Sequence, residues 1–295
     1  MEGRIVENKA NLYTIEEINE QKEYTATARG KLKNEEVTPV VGDKVLFEIL
    51  NNETNTAVIE QIIERKNYIK RPKMANLTQI IFVLSCKHPK PDLLLLDKQL
   101  AFAEFLKIKP VIVINKIDLD EKKEYKKIAA LYSKIGYDVI ETDAKTSLGI
   151  HKLTELLKEN ISAFSGNSGV GKSSLINDIF KNELTQEGEI SKKNKKGKNT
   201  TTGIKLYKLE KESYIADTPG FSTFDIFEIP YRELDKYFVE FRDGIKECKY
   251  IGCSHIKEEN CGVKNGIKCG NINENRYKNY KQIYEELKDK EDHKW

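Results

Sequence analysis

The sequence predicts a multi-domain chain with three parts: an all-β barrel over residues 1–68, a central α/β sheet built around a phosphate-binding loop over 69–225, and a mostly helical, metal-binding region over 226–295. Three observations predict it. Short alternating segments separated by turn residues fill the first part. Strand-forming and helix-forming segments alternate through the second, with a GxxxxGK[ST] string where a strand meets a helix. Four of the five cysteines (Cys248, Cys253, Cys261 and Cys269) cluster in the third.

Composition sets the outer limits. With 39% hydrophobic and 33% charged residues, the chain is globular rather than disordered. A net charge of +3 does not by itself announce a nucleic-acid binder, so any basic surface must be local. The N-terminal MEGRIVENKANLYT has no apolar core of signal-peptide length. Apolar runs such as Ile80–Leu84 and Pro110–Ile114 fall far short of the roughly 20 residues that span a bilayer. A cytoplasmic protein with no membrane partner is the expectation, and there clustered cysteines read as metal ligands before disulfides.

In the first part, Tyr24–Ala28, Lys44–Ile49 and Thr56–Glu60 alternate, and Gly30, Val41-Gly42-Asp43 and Asn51-Asn52 punctuate them. A small barrel is the simplest reading, and a β-hairpin extension of the next domain is the alternative. In the second part, strands are expected at Ile80–Leu84, Val111–Ile114, Asp138–Glu141 and Ile161–Ser165. Helices are expected at Leu94–Leu106, Glu121–Ile135 and around Leu153–Lys158. This is the rhythm of a parallel sheet covered on both faces. A helix over Lys172–Phe180, a lysine-rich loop, and strands over Ile204–Leu209 and Ser213–Ala216 follow. The third part ends in a helix over Tyr277–Lys290.

Gly166-Asn167-Ser168-Gly169-Val170-Gly171-Lys172-Ser173 matches the phosphate loop at every fixed position and has a strand before it and a helix after it. Glycines let backbone N–H groups turn inward onto phosphate oxygens, and the helix N-terminus adds its dipole. Lys172 is expected on the β- and γ-phosphates and Ser173 on Mg2+, and the binding set extends to Ser174. Asn115-Lys116-Ile117-Asp118 follows a parallel strand, where a base should bind. The Asp118 carboxylate can accept from guanine N1–H and its exocyclic amine, a donor pair adenine lacks. Thr142-Asp143-Ala144-Lys145, after the next strand, is similar to the loop whose backbone meets the guanine oxygen, although Asp143 replaces the usual Ser. Asp217-Thr218-Pro219-Gly220 supplies a DxxG, with Asp217 behind the Mg2+ shell and Gly220 N–H at the γ-phosphate. Thr201, within Thr200–Thr202, is the expected switch hydroxyl on Mg2+.

These motifs occur as NKxD, phosphate loop, DxxG. The usual GTPase order is phosphate loop, DxxG, NKxD, so the cyclic order is kept and the termini are moved: a circular permutation. The chain then runs from DxxG directly into the cysteine-rich region. There Cys248-x4-Cys253-x-His255-x5-Cys261 offers three thiolates and one imidazole, a closed tetrahedral zinc set with no open catalytic position. Cys269 is a substitute ligand, and Cys86 reads as a core residue.

At this point the chain resembles the bacterial ribosome-small-subunit-dependent GTPase A family over essentially its whole length. The resemblance rests on Val41-Gly42-Asp43, Arg71-Pro72-Lys73-Met74-Ala75-Asn76, the permuted motifs, the threonine triplet and the cysteine pattern. It implies an N-terminal OB-fold, a permuted P-loop GTPase domain and one structural zinc per chain. It also implies a late-stage assembly factor whose GTP hydrolysis is stimulated by the small ribosomal subunit and its rRNA, acting here as a monomer. Two residues set the chain apart. Phe221 follows DxxG where many small GTPases have a water-orienting Gln, and Asn199 stands where the family commonly has His. The contrasting reading is a guanine-nucleotide-dependent rRNA-binding scaffold with negligible turnover. For RNA contact, the sequence offers the lysine run 192–198, aromatics Tyr13, Tyr24 and Phe47 on the barrel, and Arg276, Lys278, Lys281 and Lys288 on the last helix. Each has a plainer reading as solvated face or core.

Overall fold

The computed structural model describes residues 1–30, 38–143, 145–186, 204–210, 212–217 and 226–293. The chain divides into two compact units. One is formed by Met1–Ile81, Ala144–Gly166 and Lys172–Ser222, the other by Phe82–Asp143, Asn167–Gly171 and Thr223–Trp295.

In the first unit, β1 (Glu2–Lys9), β2 (Leu12–Glu17), β3 (Glu23–Ala28), β4 (Lys44–Asn51) and β5 (Thr56–Ile62) close into an OB-like barrel. The ladder runs β1–β2–β3, continues through a parallel β3–β5 pair to β4, and returns to β1. β3 and β4 alternate as the sequence suggests, whereas β5 buries Ala57, Val58 and Ile59 in a row. β1 and β2 escaped that reading because β1 does not alternate: Gly3–Val6 are all buried. Its second face is covered: Arg4 lies over the Tyr214 ring, 5.5 Å from the centroid, and pairs with Glu212 at 3.5 Å, while β12 (Lys205–Glu210) meets the strand's edge at Glu7↔Lys205. Tyr13, Tyr24 and Phe47 are 2–3% exposed and form the barrel core, with Tyr24 and Phe47 ring centroids 5.3 Å apart. Stacking on RNA bases by these three rings is therefore ruled out, because the apolar effect has already buried them.

Two of the strings behind the family resemblance pack on each other. Gly42 sits at φ +93, and a Cβ there would stand 2.0 Å from the Ala75 carbonyl oxygen. Asn76 Nδ2 donates to the Gly42 carbonyl at 3.1 Å, and the Ala75 N–H donates to Val41 O at 3.0 Å. The fully buried Asp43 carboxylate takes two bonds from Arg65, at 2.7 and 2.8 Å. The same unit contains β11 (Ile161–Ser165), parallel to β13 (Ser213–Asp217), which pairs antiparallel with β12. Buried Glu16 of β2 accepts from Tyr214 Oη and Lys208 Nζ, both at 2.6 Å, so the β12–β13 hairpin is clamped to the barrel.

In the second unit, β9 (Lys109–Asn115) and β10 (Asp138–Glu141) are parallel, in register from Val111↔Asp138 to Ile114↔Glu141. Strand β8 (Gln79–Ser85), buried along its whole length, contributes residues to each unit. Helix α1 (Leu93–Phe105) starts where the Asp92 carboxylate accepts from Leu95 N–H at 2.9 Å. Helix α2 (Tyr125–Ile135) begins four residues later than its periodicity suggests. Lys123 lies at φ +54, which a right-handed helix cannot include, and Asp120 Oδ2 accepts from Tyr125 N–H at 2.9 Å instead.

Helices α3 (Ile150–Leu157) and α4 (Lys172–Gln186) belong to the first unit. The C-terminal region of the second holds α5 (Arg242–Lys246), α6 (Gly262–Lys268) and α7 (Glu274–Asp292). Helix α7 starts at an Asn273 cap, whose side chain accepts from Asn275 and Arg276 N–H groups. Phe238, Phe241 and Tyr280 form the local aromatic core, with ring centroids 4.9–5.2 Å apart. Arg276 is 2% exposed, bonded to Asp97 and Glu240, so it is a buried structural cation and not an RNA contact. Among the described residues, no helix is long and apolar enough to cross a membrane.

Candidate functional site

The phosphate loop begins as β11 ends. Gly166, Gly169 and Gly171 have φ of +145, +79 and +102. Gly171 is also sterically required, since a Cβ there would lie 2.3 Å from Asn115 Nδ2. The loop delivers Lys172 to the first turn of α4, where its ammonium folds back onto the Gly166 carbonyl at 2.6 Å. Burial pulls the Lys172 ammonium below its ordinary value. An anion beside it would offset that penalty. Ser173 and Ser174 follow, exposed on the same first turn.

The Asn115–Asp118 turn lies against residues 169–170 in the second unit. Asn115 is 1% exposed. Its Nδ2 donates to the Val170 carbonyl at 2.9 Å, and its Oδ1 accepts from Thr142 Oγ at 3.0 Å. The Lys116 ammonium donates to the His88 carbonyl at 2.9 Å and also to the Gly169 carbonyl. Asp118 follows in a 3-10 turn, Ile117–Leu119, and is exposed. Thr142 belongs to the loop expected at the guanine oxygen, but its bond to Asn115 is not visible in sequence: the parallel β9–β10 pairing brings the two together. Asp143 is buried. Cys86 is half-buried just beyond β8, not within the core, and its thiol donates to the Lys116 carbonyl at 2.8 Å.

Asp217 ends β13. Ala144, Asn199, Thr200–Thr202 including Thr201, Gly220, Phe221 and the lysine run 192–198 lie outside the described residues.

Cys248, Cys253, His255 and Cys261 converge, with one ligand atom from each within 4.8 Å of the others. Cys253, His255 and Cys261 are buried. His255 Nδ1 faces Cys261 Sγ at 3.2 Å and Cys248 Sγ at 3.6 Å. Its Nε2 faces Asp235 Oδ2 at 3.3 Å, a carboxylate that would orient the imidazole toward a metal. Asp235 lies twenty residues upstream in the Tyr231–Tyr237 turn, beyond the reach of a spacing argument. Tyr277 Oη donates to His255 O at 2.6 Å and Tyr280 Oη to Ser254 O at 2.9 Å, so α7 braces the knuckle. Burial pushes the Cys253 thiol up to about 12 and raises Cys261 as well. Buried thiols of this kind become thiolates when a divalent cation compensates the charge, and the donor set could hold zinc. Cys269 is exposed and outside the cluster.

A family profile described as RsgA GTPase matches residues 62–227, and one described as RsgA N-terminal domain matches residues 2–59. A protein of Ruminiclostridium cellulolyticum named small ribosomal subunit biogenesis GTPase RsgA is 39% identical over 287 residues, covering 97% of this chain and 94% of that protein. One of the same name from Clostridium botulinum is 39% identical over the full length of each. The crystal structure of YjeQ from Thermotoga maritima superposes with a TM-score of 0.85 at 37% identity, covering 97% of this chain and 98% of that one. The crystal structure of YloQ, described as a circularly permuted GTPase, gives 0.83 at 30% identity, covering 98% and 95%.

Proposed function

Because the chain belongs to the RsgA GTPase family, with the permuted order of motifs that one of its structural neighbours is described by, we propose that it hydrolyses GTP on the small ribosomal subunit as a late-stage assembly factor. The observation that carries the reading is the clasp between turn and loop: Asn115 and Lys116 reach the carbonyls of Val170 and Gly169. A turn suited to guanine is thereby bonded to residues 169 and 170 of a loop suited to phosphates.

Within this proposal, Gly166–Ser174 wrap the phosphates, Lys172 neutralises the β- and γ-oxygens, and Asp118 accepts from guanine, with Asp143 and Ala144 beside the base. Ser173 and Thr201 supply hydroxyls to Mg2+, Asp217 stands behind them, and Gly220 N–H meets the γ-phosphate. Mg2+ held there would supply positive charge against the charge developing on the phosphate oxygens. The attacking water receives no bond from Phe221, since a phenyl ring cannot orient it, so we assign the stimulation of turnover to the ribosomal subunit. Cys248, Cys253, His255 and Cys261 hold one structural zinc, which fixes the knuckle and supplies no catalysis. The working arrangement is a cytoplasmic monomer of three functional parts, 1–68, 69–225 and 226–295, with rRNA met by the lysine run and by Lys278, Lys281 and Lys288.

Steady-state GTP hydrolysis by wild type and Lys172→Ala, each alone and with purified small subunits, tests this. Strong stimulation of wild type only is the expected result. Wild-type turnover that small subunits leave unchanged would overturn the ribosomal reading. No turnover above Lys172→Ala in either condition would leave the guanine-nucleotide-dependent scaffold instead.

A further inference from the structure

The connection from β8 to α1 carries none of the nucleotide motifs, yet the Asn115–Asp118 turn rests on it. The Cys86 N–H donates to the Asn115 carbonyl at 3.0 Å, and the Cys86 thiol donates to the Lys116 carbonyl at 2.8 Å. The His88 carbonyl takes the Lys116 ammonium at 2.9 Å and the Ser85 hydroxyl at 2.8 Å. Ser85 is 1% exposed. Lys116 itself lies at φ +61. A lysine holds a left-handed conformation only where its surroundings over-determine it. Here the surroundings are bonds at both ends of the residue: its carbonyl is pinned by Cys86, and its ammonium by two carbonyls, that of Gly169 and that of His88, the second held in place by Ser85.

We propose that Ser85 and Cys86 are positioning residues for guanine selectivity, fixing the left-handed turn at Lys116 that aims Asp118 at the base. The proposal rests on the reading of Asn115–Asp118 as the base-binding turn. The thiol suits the task. Burial, then the nearby Asp120 and Asp118 carboxylates, push it above its ordinary value, so it remains a protonated donor at neutral pH. The two pins act on the same residue through different atoms, so removing both should do more than removing either. Neither side chain reaches the γ-phosphate end of the loop through any of these bonds, so the effect belongs to nucleotide affinity and base choice rather than to the chemical step.

The test is steady-state hydrolysis of GTP and inosine triphosphate, which lacks the exocyclic amine, by the full chain carrying Cys86→Ala, Ser85→Ala, both together, or Cys86→Ser. The expected result for each alanine variant is a GTP KM raised about fivefold, the size of one net hydrogen bond, with kcat within about twofold. The double variant should show a KM raised about 20-fold and a reduced preference for GTP over inosine triphosphate. Cys86→Ser, whose hydroxyl can donate to the same carbonyl, should restore the wild-type KM. Unchanged KM and unchanged base preference in alanine variants that melt like wild type would overturn the proposal. So would a kcat loss with KM unaltered, or a failure of Cys86→Ser to restore what Cys86→Ala loses. If the double variant does not fold, the comparison of Cys86→Ala with Cys86→Ser decides. Asp118→Asn separates the two levels. If it abolishes GTP preference while the Cys86 and Ser85 variants keep theirs, the positioning role fails and the base-turn reading stands. If Asp118→Asn retains full GTP preference, the base-turn reading fails and takes this proposal with it.

Discussion

Asn115→Ala probes the join between the guanine turn and the phosphate loop. In the native protein this 1%-exposed side chain satisfies a carbonyl at Val170 and a hydroxyl at Thr142, at 2.9 and 3.0 Å. Truncation leaves both groups unpaired in a place water enters only by opening the turn. Each buried polar group left without its partner costs about 1–3 kcal/mol. Part of that is relieved when the turn opens in the free protein, and nucleotide binding must close it again. The penalty on binding is then about 2–4 kcal/mol, or roughly 30- to 700-fold in Kd for GTP and GDP. Thr142→Val removes only one donor and keeps the Val170 bond, so its penalty should be about 1 kcal/mol, roughly fivefold. Titration of a fluorescent GDP analogue into each purified variant with Mg2+ reads these numbers, and thermal melts confirm that the variants are folded. An Asn115→Ala Kd within about threefold of wild type, or a larger loss in Thr142→Val than in Asn115→Ala, would refute the reasoning that the turn is held by these two bonds.

Three further outcomes are expected. Arg276→Met leaves the Asp97 and Glu240 carboxylates without their shared cation; breaking a buried ion pair from one side costs about 3–5 kcal/mol, visible as a lower urea midpoint, and a loss under about 1 kcal/mol would contradict the assignment. Burial first, and then the Glu16 hydrogen bond, raise the Tyr214 phenol above its ordinary value of 10.0. That contribution is complete below the unfolded value and lost as pH rises through the native one, so urea midpoints should fall above pH about 10 more steeply in wild type than in Tyr214→Phe; parallel curves would sink the idea. Cys253→Ala should emerge from zinc-containing medium with its metal content, measured by mass spectrometry, reduced relative to wild type, and with weakened near-ultraviolet circular dichroism from the Phe241, Tyr277 and Tyr280 rings that surround the knuckle. Wild-type metal content in that variant would remove Cys253 from the ligand set.

What the sequence determined by itself was local chemistry at fixed spacing. The phosphate loop is a contiguous string, because eight consecutive residues make the whole cradle and glycine alone accepts its backbone angles. The knuckle is legible for the same reason: Cys248, Cys253, His255 and Cys261 fit within fourteen residues. The permutation is legible because order along the chain is itself a property of sequence. Strands buried on both faces, such as β8 and β9, show as apolar runs for a plain solvation reason. Tertiary structure decided whatever depends on partners far away in the chain. β1 looks irregular until Tyr214 and Glu212, more than 200 residues on, cover Arg4 on its second face. Arg276 reads as a surface cation on a polar helix until Asp97 and Glu240 close on it and exclude water. Asp235 joins the cysteine-histidine cluster only when its turn folds over His255. Ser85, Cys86 and Thr142 make their bonds around one turn only because neighbouring strand ends place them there. A hydrogen bond between distant residues leaves no periodicity for a sequence to display, and the chain must close the loop before the bond exists.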